Sequence, residues 1–365
     1  MKRAVGLLVT GALTGALVAG PAYAHGGDAP DATAYRTTVT AISPAVPGLR
    51  IRAVEAGARL ELVNRTGRTI EVLGYSGEPY LEVRPDGTFE NVRSPATYLN
   101  ETLAGDNPVP GAADPTAPPQ WRRVSLDPSV RWHDHRTHWM SADLPPAAVA
   151  DPSRTHRLRD WEVPLRDGVR TYSLRGTLDW VPPPHPAAWW SGSLLTAAAV
   201  AALGALSIRR RGLLRAVGAV ALTAGTITIA YAVARAVDAG ASLTGQLTPL
   251  IAGLGALTAG GLAFARRQLA DFALALAGAG LALFAGVPHT GVLTHAVAPA
   301  PGPSWPARVA VLLAVGAGPG LVAAGVLRLR AARPARSTGP APIWRLSDPH
   351  RTDPAEQADY RAGHD

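Results

Sequence analysis

Short alternating patterns of apolar and polar residues characterise the first half of the chain. In residues 49–54 and 58–63, one side of each run is apolar and the other is largely charged. A period of two places the apolar side chains on one face of a strand, and turn residues such as Pro47-Gly48 separate the runs. Short strands at this spacing predict an antiparallel, immunoglobulin-like β-sandwich over residues 35–182. The predicted strands are 35–42, 49–54, 58–63, 69–73, 79–84, 120–124, 161–165 and 170–180.

The second half contains five long apolar runs, each of about the 20 residues that cross a bilayer as a helix. They predict a five-helix transmembrane bundle over residues 189–328, joined to the β domain by a proline-rich linker at 183–188. Pro319 is expected to kink the last helix. Small residues are expected to allow close helix contact, at Gly253, Gly255, Gly260, Gly278 and Gly280. The predicted spans are 189–208, 213–236, 246–265, 270–288 and 306–327.

Targeting and charge signals agree on one topology. Residues 1–24 have the features of a secretory signal peptide, with Lys2-Arg3, an apolar core and the cleavage motif Ala22-Tyr23-Ala24; an uncleaved first helix is the alternative. Arginine clusters such as Arg209-Arg210-Arg211 and Arg266-Arg267 flank alternate helix ends, and the positive-inside rule places those ends in the cytoplasm. We therefore predict a multi-pass cell-membrane protein. Its β domain is extracytoplasmic, its mature N-terminus at 25–34 is flexible, and its tail at 329–365 is disordered and cytoplasmic.

Charge and cysteine content narrow the classes of function. The formal net charge is +8, but the arginine surplus flanks the apolar runs and forms no basic face with interleaved aromatics. The predicted environment is therefore a lipid bilayer, and nucleic acid is not a predicted partner. The absence of cysteine excludes disulfides and thiolate metal sites. Arg235, Asp238 and Asp271 lie at predicted helix ends. A lack of ionisable groups at mid-depth argues against a proton-driven pump or an ion transporter.

Residues 131–140, Arg-Trp-His-Asp-His-Arg-Thr-His-Trp-Met, form what we call the histidine segment. On a strand, His133 and His135 would share one face, and His138 could return across a turn. Three imidazoles suit copper(II), zinc or nickel, so the segment predicts a metal site, for copper first and zinc second. Asp134 and Arg136 then face the other way or pair with each other. The alternative is a polar corner, in which the histidines hydrogen-bond to the backbone and the tryptophans pack in the core.

Further histidines extend the candidate metal set. Cleavage after Ala24 would make His25 the first residue, whose amine and imidazole can bind one metal ion together. His289 and His295 follow Pro288 at the end of the fourth run, on the predicted side of the β domain. The alternative is that His25 starts a flexible tail and that the other two cap a helix end. The predicted metal ligands are therefore His133, His135, His138, His25, His289 and His295.

Two other segments have the composition of ordered loops: 78–81, Glu-Pro-Tyr-Leu, and 94–100, Ser-Pro-Ala-Thr-Tyr-Leu-Asn. Their Tyr and Asn side chains are candidates to frame a ligand pocket; the alternative is that they anchor the loops by hydrogen bonds. The sequence has no Gly-x-Ser-x-Gly elbow and no Walker loop. Glu78 and Asp134 are candidates for an acid/base pair, but nothing in the sequence fixes their separation. We therefore do not predict an enzyme.

Residues 74–100 and 132–140 resemble a group of uncharacterised multi-pass membrane proteins of high-GC Gram-positive bacteria. This resemblance implies no particular activity. A weaker likeness is to the CopC/CopD-type copper-resistance proteins, and it rests on the start at His25, the β-sandwich, the absence of cysteine and the histidines beside the membrane region. It implies copper, although the chain departs from that type in having five spans and only Met1 and Met140. The leading hypothesis is an outer-facing metal-binding protein for acquisition, buffering or delivery of copper. The alternative is a non-metal envelope scaffold or protein-binding module anchored by the helix bundle.

Overall fold

A computed structural model of the chain describes residues 32–239 and 246–332. The predicted signal peptide, His25 and the predicted tail from residue 333 onward lie outside the described residues. Within these residues, an antiparallel β region precedes five long apolar helices. The two hydrophobic patterns of the sequence therefore predict this division correctly.

The described part of the β region contains ten strands: β1 Tyr35–Ser43, β2 Leu49–Val54, β3 Arg59–Asn64, β4 Ile70–Leu73, β5 Pro79–Arg84, β6 Gly87–Asn91, β7 Trp121–Ser125, β8 Ser129–Trp132, β9 His156–Asp167 and β10 Arg170–Trp180. They form a seven-stranded sheet in the order β1-β10-β9-β4-β5-β6-β7 and a three-stranded sheet in the order β2-β3-β8. All pairings are antiparallel. Strands β6 and β8 have no predicted counterpart.

One apolar core joins the two sheets. Leu60 and Leu62 of β3 are at most 1% exposed, and they belong to the same buried cluster as Val163 and Leu165 of β9. This burial follows the alternation of apolar and charged residues in the sequence. The immunoglobulin-like arrangement is not confirmed: seven of the ten strands share one sheet, whereas that fold divides its strands more evenly between two sheets.

The five apolar helices are α1 Pro186–Arg209, α2 Leu213–Ala239, α3 Leu247–Phe264, α4 Ala270–Gly280 and α5 Trp305–Ala331. All five are long and apolar enough to cross a membrane, the fourth when counted to Leu293. That span changes to π-helical geometry at Leu281–Gly286 and to a 3₁₀ helix at Val287–Leu293. Pro319 lies inside α5, which continues to its end at Ala331.

Close packing between helices depends on some of the predicted glycines. A Cβ atom at Gly253, Gly260 or Gly278 would lie too close to atoms of a neighbouring helix. Gly255 and Gly280 have room for one. The small-residue prediction is therefore confirmed for three positions of five, because composition alone does not reveal which helix face meets a neighbour.

The β domain contacts one end of the helix bundle. The Glu55 main-chain N–H donates to Oδ2 of Asp238, near the end of α2, at 2.8 Å. Thr33 forms an isolated antiparallel bridge with Val297, in the connection between α4 and α5, through hydrogen bonds of 3.0 and 2.9 Å. One bond to a side chain and one pair of backbone bonds therefore hold this part of the chain against the bundle at two places.

Candidate functional site

The histidine segment forms a turn and not a continuous strand. Strand β8 ends just before His133, and Asp134 begins a 3₁₀ helix at His135–Thr137. The Asp134 carboxylate accepts the Arg136 main-chain N–H at 3.2 Å. An Asp side chain that bonds its own backbone in this way competes with extended structure. The prediction that His133 and His135 share one face of a strand is therefore wrong.

His133 is a buried residue with engaged ring nitrogens. It is 1% exposed. Its Nδ1 lies 2.7 Å from the Ala58 carbonyl oxygen, and its Nε2 lies 3.1 Å from Nε of Arg59. A guanidinium only donates, so Nε2 is the acceptor and the Nδ1–H donates to Ala58. Metal binding at His133 would require one of these two bonds to break.

His135 contacts a different set of neighbours. Its Nε2 lies 3.1 Å from the Thr102 carbonyl oxygen, and its ring stacks on Tyr75 with the ring centroids 6.3 Å apart. A Cβ atom on Gly105 would overlap the imidazole, so the loop after residue 100 packs directly against it. His133 and His135 are thus held by separate backbone partners, as the polar-corner alternative predicts.

His138 differs from both, because its Nε2 is buried and has no hydrogen-bond partner in the described part of the chain. Its ring centroid lies 6.5 Å from that of His133. Burial, reinforced by the neighbouring His133, lowers the pKa of His138 to about 4. The ring is therefore neutral at physiological pH and keeps a lone pair on one nitrogen. It borders a cavity of about 90 Å³ that is also lined by Thr33, Tyr35, Thr37 and Leu103.

A buried ion pair fixes the centre of the segment. Asp134 is fully buried, and its two carboxylate oxygens accept bonds of 2.8 and 2.7 Å from the Arg136 guanidinium. Trp132 donates to the same carboxylate at 3.1 Å. Arg136 also donates to the Leu73 carbonyl oxygen at 3.0 Å and lies over the Tyr75 ring. Asp134 and Arg136 therefore pair with each other, which is one of the two arrangements that the sequence leaves open, and the bond from Arg136 to Leu73 ties the histidine segment to the start of the turn at 74–81.

Glu78 joins the 74–81 turn to the 94–100 segment. It is 4% exposed. One carboxylate oxygen accepts the Ser94 hydroxyl at 2.6 Å, and the other accepts the Ser76 main-chain N–H at 2.9 Å. Residue 74 is glycine because a Cβ atom there would overlap the Glu78 carboxylate. Glu78 and Asp134 therefore bind different donors, and both serve to connect loops.

The Tyr75 hydroxyl hydrogen-bonds to both the histidine segment and the 94–100 segment, and it fixes the orientation of the Asn100 side-chain amide. Its hydroxyl accepts the His135 main-chain N–H at 3.1 Å and donates to Oδ1 of Asn100. Partial burial, together with the nearby Asp134 carboxylate, raises the pKa of Tyr75 to about 12, so the hydroxyl keeps the proton that it donates. With Oδ1 bound to Tyr75, Nδ2 of Asn100 is left as a donor. This Nδ2 is buried and has no hydrogen-bond partner among the described residues.

The segments 74–81, 94–100 and 131–140 border one cleft of about 250 Å³ between the two sheets. Its floor is buried and its rim is exposed, at Arg122, Val124 and Glu101. The sequence singles out the Tyr and Asn residues of this floor as pocket candidates, but it gives no sign that Arg59 and Arg131 also line the cleft. In the sequence, Arg59 is a charged position of the predicted strand 58–63, and Arg131 is the first residue of the histidine segment. The floor residues are Tyr80, Asn100, Trp132 and His133.

The two histidines of the fourth span lie in different surroundings. His289 is 3% exposed, and its Nδ1 lies 2.6 Å from a guanidinium nitrogen of Arg235. The Tyr231 ring packs edge-on against it at 6.1 Å. His295 is exposed, and its Nδ1 lies 3.1 Å from the Gly291 carbonyl oxygen. The Arg235 guanidinium beside His289 would repel a metal cation. His295 contacts the backbone at the end of the helical span, as the helix-end alternative predicts.

No group of three or more His, Asp or Glu side chains within residues 32–239 and 246–332 is arranged to hold a metal ion. His25 lies outside these ranges. No family model, curated protein or solved structure matches the chain.

Proposed function

We propose that the chain is a membrane-anchored binding module of the cell envelope, whose extracytoplasmic β domain holds a protein partner in the cleft between its two sheets. One observation carries this proposal: hydrogen bonds join the three segments 74–81, 94–100 and 131–140 around an open cleft. The links are His135 to Tyr75, Ser94 to Glu78 and Tyr75 to Asn100.

Rigidity of the cleft supports a role in binding. Buried polar networks whose members are hydrogen-bonded fix one arrangement of the loops. A preorganised site loses less conformational entropy when a partner binds. The bonds from Glu55 to Asp238 and from Thr33 to Val297 extend this order to the helix bundle, so a bound partner is held at a fixed place beside the membrane.

The proposal can be tested by photo-crosslinking in intact cells with the full-length protein. A photoreactive phenylalanine analogue replaces Val124, on the cleft rim, and in a second variant it replaces Val169, at the β9–β10 hairpin tip. Both valines are exposed, at 47% and 99%, and only Val124 lines the cleft. We expect a discrete adduct with an extracytoplasmic protein at position 124 and none at position 169.

Two controls sharpen this test. Labelling with a membrane-impermeant reagent at residue 169 establishes whether the β domain is extracytoplasmic. The adduct at position 124 should also disappear when Asp134→Ala loosens the loops. Equal adducts at both positions, or no adduct at either, would contradict the proposal.

Metal binding is a second candidate, favoured by the buried, unbonded Nε2 of the neutral His138. Copper or zinc would be held there by His138, with His133 as a second ligand once it releases Arg59. The surrounding imidazoles suit these metals. His135 is less well placed, because its Nε2 is already bonded to Thr102.

Calorimetric titration of the full-length protein with copper(II) and zinc tests this candidate. About one equivalent should bind, and His138→Ala should abolish the uptake. His156→Ala is the matched control, since His156 lies in the same domain and bonds the Asp151 carbonyl oxygen at 2.6 Å. Uptake that survives in His138→Ala, or no uptake by the native chain, removes the metal function.

A further inference from the structure

Two buried hydrogen-bond donors border the cleft without an acceptor. Nδ2 of Asn100 and Nη1 of Arg131 have no hydrogen-bond partner among the described residues. Both residues line the cleft, and Asn100 is only 5% exposed. A buried donor that lacks an acceptor is costly. An acceptor supplied by a ligand would remove this cost.

The surroundings of Arg131 explain why one of its nitrogens stays available. Its Nε and Nη2 both bind one oxygen of Glu61, whose other oxygen binds Arg52 at 2.5 Å. Its Nη1 lies 3.9 Å from a carboxylate oxygen of Glu55, which is beyond hydrogen-bond distance. Arg131 is thus held in place by Glu61 and still presents one N–H group.

The orientation of Asn100 is fixed in a similar way. Its Oδ1 accepts the Tyr75 hydroxyl, and that hydroxyl accepts the His135 main-chain N–H. A flip of the amide would break this chain of bonds, so Nδ2 remains a donor. Burial raises the pKa of the Tyr80 hydroxyl. The nearby Asn100 side chain partly opposes this effect, although its Nδ2 does not meet the geometry of a hydrogen bond.

The unbonded groups of the cleft favour a ligand that supplies acceptors. The three arginines that line it, Arg59, Arg122 and Arg131, are each paired with a carboxylate, of Glu55, Glu90 and Glu61. The lining residue Glu101 is exposed and accepts a bond from Asn107. The side-chain groups of the described lining that remain without a partner, on Asn100 and Arg131, are both donors.

We propose that the cleft recognises a carboxylate group, which accepts hydrogen bonds from Nη1 of Arg131 and Nδ2 of Asn100. Arginine and amide donors together match the oxygen geometry of a carboxylate. This inference rests on the proposed binding function and names the chemistry of its ligand. A volume of about 250 Å³ accommodates the last residue or two of a peptide, and the exposed rim lets the rest of a partner chain extend outward. A free small acid would offer the same group.

Binding of three probes to the full-length protein in lipid nanodiscs tests this inference by calorimetry. The probes are N-acetyl-Ala-Ala with a free carboxylate, the same dipeptide as its amide, and propionate. We expect the free acid to bind at least about tenfold more tightly than the amide, because a charge-assisted bond to a carboxylate is lost in the amide. Propionate that binds as tightly as the dipeptide acid identifies a free small acid as the source, whereas weaker binding of propionate identifies a chain terminus.

Two substitutions assign the donors. Asn100→Asp keeps the shape and the acceptor for Tyr75 but replaces the donor by a carboxylate oxygen. Arg131→Lys keeps the charge beside Glu61 but loses the planar fork. Each should weaken binding of the dipeptide acid by about tenfold or more. Arg123→Gln is the matched control, because Arg123 is a neighbouring arginine of β7 that pairs with Asp86 and does not line the cleft.

The outcomes separate this inference from the proposed function. Equal affinity for acid and amide, no binding of any probe, or unchanged binding in both Asn100→Asp and Arg131→Lys overturns carboxylate recognition. Thermal unfolding of each variant shows whether the β domain is still folded, and a loss of binding in a folded variant counts in favour of the assignment. An adduct at position 124 without carboxylate preference leaves the binding module standing and removes only its ligand chemistry.

Discussion

The Glu55 main-chain N–H donates a 2.8 Å hydrogen bond to the Asp238 carboxylate across the boundary between the β domain and α2. Glu55 and Ala56 have φ angles of 55° and 57°, a left-handed conformation that costs free energy in L residues. Glu55 is 5% exposed, and burial raises its pKa against the opposing effect of Arg59 and Arg131. The helix end thus supports a strained turn of the β domain, and the two parts of the chain are energetically linked there.

Replacement of Asp238 by Ala should release this turn. The Glu55 amide loses a charged acceptor, and its hydrogen exchange should accelerate about tenfold or more. Hydrogen–deuterium exchange with mass spectrometry on peptides that cover residues 54–58 measures the change. Val237→Ala is the control, because Val237 lies at the same helix end and is 58% exposed. Unchanged exchange at residue 55 would show that Asp238 does not support the turn.

The helix bundle is predictable from sequence because each span depends on its own residues. A run of about 20 apolar residues is enough to identify a membrane helix, and the start of α2 at Leu213 coincides with its prediction. The sheets are harder, since pairing joins strands that are far apart in the chain. Strand β8 has four residues and pairs with β3, a partner that no local pattern identifies.

The site was predictable only in part, because its contacts, like those between strands, join residues that are far apart in the chain. The sequence marks residues 78–81 and 94–100 as ordered segments, and it offers the pairing of Asp134 with Arg136 as one of two arrangements. It does not reveal that His133 is held by Ala58 and Arg59. These partners are distant in sequence, and which nitrogen of an imidazole is free depends on such contacts. Histidine spacing alone therefore cannot distinguish ligands from hydrogen-bonded core residues.

Asp134→Ala should strongly destabilise the β domain. The substitution leaves the Arg136 guanidinium, whose side chain is 20% exposed, without its carboxylate. Breaking a buried pair in this way costs roughly 3 kcal/mol. Denaturant unfolding of the full-length protein in detergent, followed by tryptophan fluorescence, measures the loss. Asp160→Ala is the control, because its pair with Arg157 is exposed on both sides and should contribute less than about 1 kcal/mol. Equal losses in the two variants would mean that the buried pair has no special role.

Gly74→Ala should destabilise the turn at 74–81 through overlap with the Glu78 carboxylate. Overpacking of this kind costs about 1–3 kcal/mol. Gly111→Ala is the control, since a Cβ atom there meets nothing within 4 Å. The double variant Gly74→Ala/Glu78→Ala should be less destabilised than the sum of the two single variants, because the colliding group is gone. Additive losses in denaturant unfolding would contradict the overlap.

His138 should make the stability of the metal-free protein depend on pH. Its pKa is about 4 in the folded chain, below the ordinary value of 6.5. Between these values the unfolded chain binds a proton that the folded chain does not, so folding is stabilised above about pH 6.5 and loses this stability as the pH falls toward 4. The full loss is on the order of 3.5 kcal/mol, given about 1.4 kcal/mol for each unit of pKa.

Unfolding experiments at several pH values, with a chelator present, isolate this contribution. In His138→Gln the free energy of unfolding should fall less steeply between pH 6.5 and 4 than in the native chain, by up to about 1.4 kcal/mol per pH unit. Carboxylates also titrate in this range, but they are the same in both proteins and cancel in the comparison. Parallel curves for His138→Gln and the native chain would show that His138 is accessible to protons in the folded protein.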